Sequence, residues 1–168
     1  MTSTAHIFVD EEFKAVKKNL WMAVSVLAVA LVGCAGTEVK EPSTNGNVHF
    51  YDSGRFNLPF SDGVRVGNVF YTSGEIGDKA GSDKLVPGGI KAESRQALEN
   101  IRDTLQANGY ELKDVVKCTV MLADMKEWPA FNEVYKEYFK KPYPARSAFG
   151  GNQLAFDARM EIECIAAS

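Results

Sequence analysis

The residues Arg159-Met-Glu-Ile-Glu-Cys-Ile-Ala166 alternate with a period of two. Met160, Ile162, Cys164 and Ala166 fall on one side, and Arg159, Glu161, Glu163 and Ile165 on the other. A helix cannot hold that pattern as one stripe, because its faces recur about every 3.6 residues. The segment therefore reads as a strand with one buried face. Val115–Leu122 repeats the pattern, with Val116, Cys118, Val120 and Leu122 opposing Lys117, Thr119 and Met121. The second face of both strands mixes charge with Met and Ile. Such a face is either solvated or buried in an oligomer with its charges paired.

Elsewhere in the chain the period changes. Ile90, Ala97, Leu98, Ile101 and Leu105 share one helical face over residues 90–106, with Glu93, Arg95, Glu99, Arg102 and Asp103 facing away. Asn108-Gly109 is a helix stop. A second helix opens at Asp124-Met-Lys-Glu127, which is similar to a capping box with Asp in the cap, and Pro129 fits its first turn. Its apolar face is Trp128, Phe131, Val134 or Tyr135, and Tyr138, and Lys140-Lys141-Pro142 ends it. Val64-Arg65-Val66 and Val69–Thr72 flank Gly67-Asn68, the signal of a β-hairpin. Gly74, Gly77, Gly81, Gly88 and Gly89 mark a turn-rich stretch. Further strands are expected over 145–149 and 159–166. The order β-β-α-β-α-β-β predicts an α+β sandwich, one sheet with two helices on one face.

The first part of the chain is of another kind. Residues 20–33 read LWMAVSVLAVALVG, free of charge and preceded by Lys14, Lys17 and Lys18. The run is short for a membrane span, which needs about 20 residues, and suits the apolar region of a secretion signal. It ends Leu31-Val-Gly-Cys34-Ala35, which resembles the lipobox of bacterial lipoproteins. That resemblance implies lipidation of Cys34, cleavage before it, and an envelope location on a lipid anchor, on the periplasmic face of the outer membrane where two membranes are present. Asp10, Glu11 and Glu12 make the leader unusually long and acidic for this class. Residues 34–47 are polar and carry Pro and Gly, the composition of a flexible tether. The folded domain is expected over 48–168, enough for one core.

Composition removes several functions. Lys+Arg is 19 against Asp+Glu 22, a net charge of -3. No basic excess exists for phosphate neutralisation, so no nucleic-acid partner is expected. Histidine occurs only at positions 6 and 49, which leaves no His-based triad or multi-His metal site. The three cysteines form no CxxC or Cys/His cluster. Cys118 and Cys164 lie on apolar strand faces and are expected as free thiols packed as small hydrophobes. They would pair only if the fold made them adjacent in an oxidising compartment.

Five blocks then carry a resemblance. Tyr71-Thr-Ser-Gly-Glu-Ile-Gly77, Gln96-Ala-Leu-Glu-Asn-Ile101, Asp114-Val-Val-Lys-Cys-Thr-Val120, Tyr143-Pro-Ala-Arg-Ser147 and Met160-Glu-Ile-Glu-Cys-Ile-Ala166 resemble, in order and spacing, the RidA (YjgF/UK114) family. The resemblance implies a chorismate-mutase-like fold and a homotrimer whose sheets form a central barrel, with ligand sites in clefts between subunits. It also implies hydrolysis of 2-imino and enamine acids to 2-keto acids and ammonia, with no cofactor and no metal. Arg146 stands where the family binds the substrate carboxylate, and an Arg fork matches a carboxylate bidentately. Glu161 stands where the family positions water, with Glu163 as its same-face rival. Phe60, Ser73, Gly74, Asn132 and Ala148 match positions lining the family pocket. Leu58-Pro59-Phe60 replaces a Gly-Pro-Tyr, so a hydroxyl is missing, and residues 148–152 also depart from the family pattern. Two other functions compete: a non-catalytic, envelope-tethered binder of a small carboxylate, and the ribonuclease activity attached to the family by name. Acidic charge and the lack of a core histidine oppose the latter.

The lipobox generates a direct test. A radiolabelled lipid precursor should tag the wild-type chain and spare Cys34→Ser. Equal labelling of the two would remove the anchor.

Overall fold

The computed structural model describes residues 47–54, 57–79, 82 and 84–168. The leader, Cys34, the tether up to residue 46, and Gly81 lie outside the described residues. Alternating apolar residues make strands β1 (Val48–Tyr51), β2 (Gly63–Val66), β3 (Val69–Thr72), β4 (Val115–Leu122), β5 (Ala145–Gly150) and β6 (Met160–Ala167). The helix-periodic segments make α1 (Gly89–Ala107) and α2 (Trp128–Tyr138). One six-stranded sheet results, in the order β1-β2-β3-β6-β4-β5. Only β4 and β5 pair in parallel, the two strands that α2 connects. The fold is α+β with a mixed sheet, as the sequence predicts.

The first strand was not anticipated. Val48–Tyr51 is an edge strand whose central residues His49 and Phe50 are exposed, so it has no clean alternation to betray it. Gly67 turns the β2–β3 hairpin with φ 62°, a left-handed value that suits glycine. Asp124 caps a short 3-10 turn, Met125–Glu127, by accepting from the Lys126 N–H at 2.9 Å. The α-helix itself then begins at Trp128 with Pro129 in its first turn.

The core is the space between the helices and one sheet face. Ala97, Leu98, Ile101 and Leu105 of α1 and Phe131, Val134 and Tyr135 of α2 pack onto Phe70, Cys118, Val120, Leu122, Met160, Ile162, Cys164 and Ala166. Burying each large side chain contributes about 1.5–3 kcal/mol. Both Val134 and Tyr135 are buried.

Three expectations are corrected. Val116 does not join the apolar face. The β4–β6 register shifts between Val115 and Lys117, so Val116 is an extra, bulged residue and is 49% exposed, while Val115 is 6% exposed. Glu93 does not face solvent. It is buried on α1, and its carboxylate accepts the Arg159 N–H at 2.8 Å. Cys118 and Cys164 are not free thiols. They stand directly opposite each other on β4 and β6, with Cα atoms 4.1 Å apart, and form a disulfide. The sequence shows both on apolar faces but not the antiparallel register that makes them neighbours.

The bridge closes a loop of sequence separation 46. Cross-linking a loop of that size restricts the unfolded chain by about 4 kcal/mol. Replacing Cys118 and Cys164 together with Ala should lower the urea-unfolding free energy by several kcal/mol. Equal stability of the double variant and the oxidised wild type would show that the bridge contributes nothing.

Candidate functional site

The site begins where β3 leaves β6. Backbone pairing runs through Tyr71↔Ile165 and resumes at Glu75↔Ile162, so β3 spends one more residue than β6 over this step. Thr72 fills the gap with its side chain. The Cys164 N–H donates to the Thr72 hydroxyl oxygen at 2.9 Å, and that hydroxyl donates to the Cys164 carbonyl at 3.2 Å. Ser73 then turns outward. Its N–H donates to the Asp62 carbonyl at 2.9 Å and its hydroxyl to the Ser61 carbonyl at 2.6 Å. Gly74 follows with Glu161 directly against it. A Cβ added at Gly74 would stand 1.9 Å from Glu161 Oε1, so only glycine leaves room for this carboxylate.

Buried polar groups of α1 hold the segment after Gly74. The Asn100 amide donates to the Asp78 carbonyl at 2.9 Å and the Ile76 carbonyl at 3.2 Å, while Gln96 donates to its oxygen at 2.9 Å. Leu58, Phe60, Gly74, Glu75, Ile76, Asp78, Ala155, Phe156 and Glu161 enclose a cavity of about 360 Å³. Burial first, and then the neighbouring Glu163 charge, push the Glu161 carboxyl above the ordinary glutamate range. Among the described residues no cation pairs with Glu161 or Glu163. Lys117 instead donates to the Ser147 hydroxyl at 2.7 Å, and Arg159 pairs with Glu127.

A second cleft, about 290 Å³, lies at the other side of the sheet edge between β5 and α2. Trp128, Asn132, Tyr135, Lys136, Tyr143, Pro144, Arg146 and Ala148 line it. Arg146 donates to the Asn132 side-chain oxygen at 2.7 Å. Its guanidinium carbon lies 4.5 Å from the Tyr135 ring centroid and 5.6 Å from that of Phe131. The rings and the amide fix the fork and leave its remaining donors for an anion. The Trp128 indole N–H and the Tyr135 hydroxyl are buried here without a hydrogen-bond partner among the described residues. Burial raises the Tyr135 pKa, and the Arg146 charge opposes that rise.

The two clefts sit on opposite faces of one sheet. Arg146 pairs with Cys118, whose side chain points to the helices, so Arg146 does too. Glu161 pairs with Met121 on the face away from the helices. Within one chain the fold therefore unites Phe60, Gly74 and Glu161, and separately Asn132, Arg146 and Ala148. Ser73 lines neither cleft and holds the Phe60 loop instead. Trp128, Tyr135, Tyr143, Ile76 and Phe156 are cleft residues that sequence reasoning missed. Trp128 and Tyr135 read only as helix-face apolar residues, and Phe156 lies in a segment without periodicity.

A model of the family described as endoribonuclease L-PSP matches residues 55–168. The chain belongs to this family, which includes RidA. Among curated relatives, a goat (Capra hircus) protein named 2-iminobutanoate/2-iminopropanoate deaminase is 45% identical over 64% of this chain and 79% of its own length. Two solved structures share the RidA fold. RidA from the Antarctic bacterium Psychrobacter sp. PAMC 21119 is 33% identical, with TM-score 0.65 over 73% of this chain and 98% of that one. Escherichia coli TdcF with bound serine is 30% identical, with TM-score 0.66 over 71% and 98%.

The Glu161 environment of this RidA-family domain sets a pH test. Its folded pKa lies above the unfolded one, so the protonated carboxyl contributes stability that is complete below the unfolded pKa and lost as pH rises through the folded pKa. Glu161→Gln should therefore unfold at higher urea than wild type at pH 7, and the difference should vanish at pH 4. A variant less stable than wild type at pH 7 would mean that the ionised carboxylate is held by a favourable contact.

Proposed function

We propose that the protein hydrolyses 2-imino acids, and their enamine tautomers, to 2-keto acids and ammonia without a cofactor. The observation that carries the reading is the placement of a fixed guanidinium and a partly buried carboxylate on opposite faces of one sheet. A site using both must take Arg146 from one subunit and Glu161 from the next. The imine-deaminase names of relatives and the small amino acid bound by TdcF support the same chemistry.

Arg146 binds the substrate carboxylate through parallel charge-assisted hydrogen bonds, with Asn132 and the Tyr135 ring keeping the fork in place. Glu161 of the neighbouring subunit holds a water against the imine carbon. The water oxygen attacks that carbon, its proton passes to Glu161, and the C=N electrons move to nitrogen. Glu161 then returns the proton to the amine of the tetrahedral intermediate. Glu161 next relays the hydroxyl proton of the intermediate to that same nitrogen; the C–N bond breaks, ammonia leaves and the keto carbonyl forms. A carboxylate with a raised pKa suits this exchange, since it is a stronger base toward the attacking water.

Three copies closing head to tail form a ring in which each interface repeats the same pairing. The face away from the helices supports such an assembly, because it exposes Tyr71 and Phe149 beside Glu161, Glu163 and Lys117. We also propose that the chain is exported and tethered through Cys34. The Cys118–Cys164 disulfide supports that location, since structural disulfides form and persist in oxidising compartments. A binder that keeps Arg146 but turns nothing over is the competing reading, favoured by the missing hydroxyl at Phe60.

Subunit mixing tests the shared site. Arg146→Lys should weaken 2-oxobutanoate binding by about 1.5–3 kcal/mol, and Glu161→Gln should abolish most turnover of 2-iminopropanoate with little effect on that binding. Co-refolding the two inactive variants in equal amounts should restore about a quarter of wild-type turnover, the share of interfaces that join an intact Arg146 to an intact Glu161. No recovery would place both residues in one chain's site or remove one of them from it. Binding by wild type without turnover would favour the binder.

A further inference from the structure

The Glu161 cavity is walled by side chains that its own chain leaves uncovered. Leu58, Phe60 and Phe156 are 46%, 56% and 59% exposed, and all three line it together with Ile76 and Ala155. Phe156 is the unusual member. It has φ 55° and ψ 26°, a left-handed conformation that is a genuine outlier for a bulky side chain. Gln153 and Asp157 share positive φ, so the turn between β5 and β6 carries three strained residues. Strain of this kind persists where surrounding structure enforces it and clusters at ligand clamps. Among the described residues no contact buries the Phe156 ring.

We propose that the preferred substrates are 2-imino acids with a branched or aromatic apolar side chain, and that Phe156 sets this preference. The proposal rests on the imine-hydrolase reading and names its substrate class. The imine carbon has three directions to satisfy. Its carboxylate extends toward the neighbour's Arg146, its nitrogen and the attacking water need Glu161, and its third substituent is the amino-acid side chain. That substituent meets the wall formed by Leu58, Phe60, Ile76 and Phe156. A methyl group leaves most of a 360 Å³ cavity unfilled and the two phenyl rings against water. An isobutyl or benzyl group covers them, and apolar surface removed from water favours its binding in the transition state.

The test compares imines made in place from L-leucine, L-phenylalanine and L-alanine by an L-amino acid oxidase. Semicarbazide traps whatever escapes hydrolysis by the purified full chain. Wild type should show kcat/KM at least about tenfold higher for the leucine- and phenylalanine-derived imines than for the alanine-derived one, the scale of apolar pocket discrimination. Phe156→Ala should shrink that ratio about tenfold, and Phe156→Leu should keep most of it. A wild-type preference for the alanine-derived imine would overturn the proposal. So would an equal effect of Phe156→Ala on all three imines, or a loss of oligomer mass by light scattering in that variant, which would make Phe156 a subunit contact. If no imine is accelerated, the hydrolase reading fails separately. Titration with 4-methyl-2-oxopentanoate and pyruvate then decides the pocket: tighter binding of the branched acid, lost in Phe156→Ala, sustains the apolar side-chain assignment, and equal binding ends it.

Discussion

Everything in this domain depends on β6 being paired on both edges while burying one face completely. Met160, Ile162, Cys164 and Ala166 are each at most 1% exposed, pressed between the sheet plane and the two helices. A shift of one residue would send these four to the open face and put Glu161, Glu163 and Ile165 into the core. Desolvating two carboxylates without partners is far costlier than any gain from the swap. The register is therefore set by a penalty as much as by an attraction, and the disulfide to Cys118 pins it covalently.

That register creates the division on which the chemistry rests. Strands adjacent in the sheet share faces residue by residue. Once Cys118 is buried, Arg146 beside it must face α2, and once Ile162 is buried, Glu161 must face away. The aromatic floor under Arg146 and the glycine against Glu161 then tune each group separately. One is held as a rigid cation against Tyr135 and Asn132. The other is crowded, partly desolvated and repelled by Glu163.

How much of this the sequence discloses depends on whether the signal is local. The alternation of β4 and β6, the helix faces and the hairpin at Gly67-Asn68 are local, and the structure carries them nearly unchanged. Arg146, Glu161 and Gly74 are recognisable because they sit inside family-like motifs. What is lost is pairwise. Cys118 and Cys164 read as two small hydrophobes until the antiparallel register puts them face to face. Val116 reads as core until a bulge on β4 expels it. Glu93 reads as a solvated helix residue, since nothing near it in sequence predicts that the Arg159 N–H will arrive to be capped. Phe156 has no pattern at all, only a turn that holds it in place.

The Thr72 hydroxyl closes the β3–β6 ladder where the backbones part, and this divides the chain by tolerance to length. Upstream of that bond, one inserted residue slips the sheet. Downstream, the described residues from Ser73 to Asp78 leave the ladder almost at once, touch β6 again through Glu75, and are tied to α1 through Asn100. Insertions or deletions between Asp78 and α1 would alter the loop without moving a strand. The chain thus keeps its most changeable segment next to its cavity and its least changeable one beneath it, so the rim can be remodelled over evolutionary time while the frame stays constant.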